Sequence, residues 1–76
     1  MKKTDLLKKI KELIRADEEL NPEMKLNDID EWDSLAKISI ISLYDRLFST
    51  VVTMKKLNHC STVNDLINMV SKHVQD

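Results

Sequence analysis

Glycine is absent from this 76-residue chain, and proline and cysteine occur once each. Without glycine no residue takes positive φ freely, which argues against tight hairpins, phosphate-cradling loops and nucleotide-binding turns. The lone cysteine, Cys60, allows no internal disulfide and gives no sign of a secreted, stapled scaffold. No apolar run approaches the ~18 residues of a membrane span, and the early lysines precede no apolar run of signal-peptide length. A cytoplasmic protein without membrane contact is the expectation. Twelve basic residues nearly balance thirteen acidic ones, leaving a net charge of −1 and no overall pull toward nucleic acid or anionic lipid. What remains is helix.

A chain this short buries only about 60% of the surface its unfolded form exposes, so a single domain over residues 1–76 must use its core economically. The spacing predicts a first helix over 4–16. There Leu6, Leu7, Ile10, Leu13 and Ile14 make one apolar stripe, and Lys8, Lys9, Lys11, Glu12 and Arg15 fill the other faces. Thr4 or Asp5 is placed to cap it. From 17 to 33 the period fails. This stretch is acidic, holds the only proline, and carries Leu20, Met24, Leu26, Ile29 and Trp32 singly. It reads as a long loop with at most a short helical turn, pinned across the core by those apolar residues. A connection this long inside so small a domain usually serves a function.

A second helix is predicted over 34–49, capped by Asp33 or Ser34. Its inward stripe is Ile40, Ile41, Leu43, Tyr44, Leu47 and Phe48. Its solvated stripe is Lys37, Ser39, Ser42, Asp45, Arg46 and Ser49. One or two short helical turns surround Leu57 in the stretch 53–59. The last helix opens on Thr62-Val-Asn-Asp65, which fits a capping box, and continues through Val63, Leu66, Ile67, Val70 and Val74. The expected fold is all-α: a small four-helix bundle, three main helices and one short one, with a long loop between the first and second.

Few residues offer chemistry. Cys60 and His59 are sequence neighbours, but adjacent helical residues do not face each other, and no acid is placed to orient the imidazole. A core cysteine beside a surface histidine is the simpler reading. His59, His73 and Cys60 lack zinc-ligand spacing, and the acidic loop lacks a calcium pattern. The lysines at 2, 3, 8, 9 and 11 are ordinary for an outer helix face, and no basic recognition helix accompanies them.

That leaves Asp33-Ser34-Leu35. Alone, the tripeptide is what any capped helix shows. A serine at the start of a helix, after a long acidic loop, is however exposed where backbone N–H groups and the helix dipole favour an anion. In a chain of this length and helix order, with Ser61-Thr62-Val63 opening the last helix, the motif resembles the acyl carrier proteins. These are small four-helix carriers modified on that serine.

The resemblance implies that Ser34 bears 4′-phosphopantetheine, donated by coenzyme A through a phosphopantetheinyl transferase. Asp33 would be the acidic partner near the transferase and its metal ion, and Leu35 would anchor the helix start and help dock partners. Cargo would hang from the prosthetic thiol, not from Cys60, and the carrier would have no catalytic activity of its own. Acyl-loading and acyl-transfer enzymes are the implied partners of a monomeric protein that binds neither nucleic acid nor metal. They would meet it at Ala36, Lys37, Ser39, Asp45 and Arg46. An acyl chain would slip past Ile41, Tyr44, Leu57, Cys60, Leu66 and Met69. Tyr44, Leu66 and Met69 are bulky for such a tunnel, so long chains are not expected to be well sequestered.

Two departures stand out. Many members of that family have glycine two residues before the aspartate, where this chain has Glu31 followed by Trp32. Fatty acid carriers have an acidic second helix, whereas here Asp45 alone is acidic among Ala36, Lys37, Ser39 and Arg46. A specialised pathway with a small acyl group is the expectation. An aminoacyl or peptidyl carrier shares fold and motif. From a different class, a small helical interaction or DNA-binding module would use Ser34 only as a cap.

Overall fold

The computed structural model describes residues 1–75. Four helices follow in order: α1 (Lys3–Ile14), α2 (Ser34–Phe48), α3 (Met54–Asn58) and α4 (Val63–Asn68). Two 3-10 turns accompany them, Leu26–Asp28 within the long connection and Ser71–His73 after α4. The fold is all-α, with no helix among the described residues long and apolar enough to cross a membrane.

α1 buries Leu6, Ile10 and Ile14, with Leu7 and Leu13 packed at the edge of the same stripe. Its start differs from expectation. Lys2 occupies the cap position without a side-chain bond, and Thr4 and Asp5 lie inside the first turn. Asp5 there still meets the positive end of the helix dipole. The ends of α1 and α2 show how a chain without glycine stops a helix. Arg15 (φ 59°) and Ser49 (φ 51°) themselves take the left-handed conformation, at a cost of about 1 kcal/mol each. Returning bonds offset that cost, from Ala16 N–H to the Lys11 carbonyl at 3.0 Å and from Ser49 N–H to the Asp45 carbonyl at 3.0 Å.

The long connection is pinned, as its scattered apolar residues require. Leu20, Leu26 and Ile29 are buried, and Met24 and Trp32 pack against the core. Backbone bonds stitch the connection to the opening of α4. Leu26 N–H donates to Ser61 (2.9 Å), Val63 N–H to Met24 (2.9 Å), and Asn64 N–H to Pro22 (3.0 Å). Thr62 and Asp65 form the reciprocal capping box that their spacing predicts. Two backbone N–H groups, from Ser61 and Thr62, hold the Asp65 carboxylate below its ordinary pKa.

α2 contributes Ala36, Ile40, Leu43 and Tyr44 to a core that contains no buried charged or polar residue among those described. Leu47, expected inside, is 41% exposed, while Phe48 in the same final turn packs against the core. α4 also ends earlier than its periodicity implies. Val70 N–H bonds the Ile67 carbonyl (3.1 Å), and the chain turns so that Gln75 exchanges backbone bonds with Met1 and Lys3. The Leu66 carbonyl, which residue 70 would serve in a continued helix, accepts instead from the Tyr44 hydroxyl at 2.8 Å.

Candidate functional site

Ser34 is the first residue of a 15-residue helix and is exposed. Its predecessor performs the capping. Asp33 is extended (φ −127°, ψ −173°), and its Oδ1 accepts from Ala36 N–H at 2.9 Å. The serine hydroxyl is thereby left out of the cap bond and available at the positive end of the helix.

Around it, the structure separates residues that the sequence groups together. Leu35 is 72% exposed, so it does not anchor the helix start; it stands free for contact. Ala36 is only 5% exposed and belongs to the core rather than to a partner surface, because the helix turns that position toward the bundle. Lys37 is half-buried and donates from Nζ to Asn58 Oδ1 at 2.9 Å, which ties α2 to α3. Ser39 is half-buried, while Asp45 and Arg46 are exposed. Ile38 was not singled out by the sequence reading, yet it is 55% exposed. Its position three residues after Leu35 was the available signal, since that spacing places both on one helix face.

Beside Ser34 runs a groove of about 420 Å³ between the end of α1 and the start of α2. Leu13, Arg15, Glu31, Asp33, Leu35 and Ser39 border it, with Ile14 and Ala36 between them. A second, smaller cavity of about 110 Å³ lies under the acidic connection near Asp28, Asp30 and Glu31.

Of the six residues expected to line an acyl channel, Tyr44, Leu57 and Leu66 are fully buried, and Ile41, Cys60 and Met69 are half-buried. None borders either cavity. Burial, with a smaller contribution from nearby Cys60, pushes the Tyr44 phenol well above its ordinary pKa, so it remains a hydrogen-bond donor.

His59 is exposed, and the Cys60 Sγ donates to the Lys56 carbonyl at 3.5 Å. Burial first, and the Asp65 charge second, raise the Cys60 thiol pKa. The thiolate is the reactive form, so Cys60 in the native protein is expected to react severalfold more slowly with a disulfide reagent at neutral pH than in the urea-unfolded chain. Equal rates would mean that the thiol is freely presented. Among the described residues no three His, Cys, Asp or Glu side chains gather closely enough to hold a metal ion. Compared with models of protein families, with curated proteins and with solved structures, the chain matches none of them.

Proposed function

We propose that the protein is a carrier, esterified at Ser34 by 4′-phosphopantetheine, that holds a small acyl or aminoacyl group for other enzymes. The observation that carries this reading is an exposed serine at the first position of a long helix, freed from capping by Asp33 and set in the Asp-Ser-Leu motif. The residues present suit the group. A phosphodiester on Ser34 Oγ would meet the positive end of α2 beside the Asp33 carboxylate, with no buried acid among the described residues. In the modification, Ser34 Oγ would bond to the phosphorus bearing the pantetheine, the pyrophosphate bond of coenzyme A would break to release adenosine 3′,5′-bisphosphate, and the serine proton would leave to a base of the transferase. Once attached, the group supplies a thiol on which an acyl group rides as a thioester.

Partners would dock on the exposed face of α2. Leu35 and Ile38 offer an apolar contact near Ser34, with Ser42, Asp45 and Arg46 beyond. Asp45 and Arg46 oppose each other in sign, so the face lacks the acidic field that fatty acid synthesis enzymes would select. This supports a specialised pathway. Holo protein offered to the malonyl-transfer enzyme of fatty acid synthesis from the same organism is expected to load poorly. Ser39→Glu with Arg46→Glu should improve loading. Ala36 is left unchanged because a carboxylate there would be buried. Efficient loading of the unaltered protein would overturn the specialised reading.

The carrier assignment itself is tested by intact mass after incubation with coenzyme A, Mg2+ and several phosphopantetheinyl transferases. No mass gain with any of them would refute it.

A further inference from the structure

Both covalent neighbours of Ser34, Asp33 and Leu35, border the groove between α1 and α2. Ser34 itself does not line the groove, so a group attached to it would reach the groove by passing over Asp33 or Leu35. We propose that the groove is the resting site of the prosthetic arm, held against α1 and outside the core. This rests on Ser34 being the attachment point and goes beyond it by fixing where the arm lies.

Size and chemistry favour the placement. At about 420 Å³ the groove falls within the ~300–1,000 Å³ of small-molecule sites. Its apolar wall of Leu13, Ile14 and Leu35 suits the methyl groups of a pantetheine arm. Arg15, Glu31 and Ser39 on its border supply donors and acceptors for the arm's amides and hydroxyl. Arg15 is the one cation of the lining, and its permanent charge complements the phosphodiester that Ser34 would bear. The left-handed turn at Arg15 also fixes the backbone where α1 meets the groove.

The core is filled where an acyl channel was expected. Tyr44, Leu57 and Leu66 are fully buried there, and the Tyr44–Leu66 hydrogen bond straps α2 to α4. The cavity of about 110 Å³ under the connection is smaller, and five carboxylates and no cation border it, whereas the groove sets Arg15 against the two carboxylates of Glu31 and Asp33.

The test compares backbone amide chemical shifts of isotope-labelled apo and holo protein. Changes are expected at Leu13, Ile14, Arg15 and Ser39 as well as at the residues adjoining Ser34. Arg15→Glu, at an exposed position, should weaken the changes in α1 and make the prosthetic thiol react severalfold faster with a bulky maleimide. Shift changes confined to the neighbours of Ser34, or centred on Leu57 and Met69, would overturn the placement, as would an unaltered thiol rate in Arg15→Glu. Failure of the protein to gain any prosthetic group would refute the carrier reading, and the placement with it.

Discussion

Ser34→Ala is expected to abolish phosphopantetheinylation while leaving the thermal stability of the unmodified protein close to that of the wild type. The two halves of this outcome have separate causes. Modification needs a nucleophilic oxygen at the start of α2, and alanine has none. Stability needs the cap, which Asp33 supplies through its bond to Ala36 N–H. Ser34 is exposed, and alanine is the better helix former, so removing the hydroxyl costs the fold little. Asp33→Ala should behave oppositely toward stability, losing about 1 kcal/mol with the cap. Intact-mass spectrometry and thermal melts of the apo proteins read both quantities. A Ser34→Ala protein that still gained the mass would move the attachment elsewhere, and one that melted far below wild type would show that Ser34 has a structural role.

The second large effect is expected at Tyr44. Tyr44→Ala should lose ~3–5 kcal/mol, as truncation of a buried aromatic ring does when its surroundings cannot collapse. Domains of this kind are stable by only about 5–15 kcal/mol, so this variant stands near the edge of folding. Tyr44→Phe keeps the ring but strips the Leu66 carbonyl of its partner, at a cost of ~1–3 kcal/mol. Chemical denaturation measures both.

The same strap bears on cargo. Octanoyl attached to the wild-type holo protein is expected to leave the melting temperature unchanged, because the chain finds no opening in a core closed at Tyr44, Leu57 and Leu66. In Tyr44→Ala the octanoyl form should melt higher than the holo form, since the chain then fills the space left by the ring. A clear rise in the wild type would show that the core opens for a chain, and no loss of stability in Tyr44→Phe would show that the hydrogen bond is not a strap.

Periodicity made the helices legible. The stripes of α1 and α2, the short helix around Leu57 and the Thr62–Asp65 box are all where local spacing places them. Pinning of the long connection was also readable, because isolated apolar residues on an acidic segment have few places to go. The errors fall where a distant residue decides. α4 stops at Asn68 although apolar spacing continues to Val74, and at that end the Leu66 carbonyl accepts from a tyrosine 22 positions upstream. Lys37 looks solvated by pattern, yet it bonds Asn58 from a neighbouring helix. Ala36, expected on the partner face, lies one turn before Ile40 and is buried with it, while Ile38, which neither stripe included, is exposed. The groove beside Ser34 is formed between two elements that the long connection separates, and no local pattern announces it.

The stitching of the connection to α4 also has a bearing on the stability of α4. At six residues α4 is too short to stand alone in water, where helices below ~12–15 residues are marginal. Its first two N–H groups have their partners at Met24 and Pro22, roughly forty positions earlier in the chain. Those partners come within reach only after a large loop has closed, and closing it costs entropy before any contact repays the loss. α4 therefore relies for its start on partners distant in the chain and is not a self-sufficient helix. The capping box at Thr62 sets where α4 begins, and the connection supplies the backbone partners that hold it there.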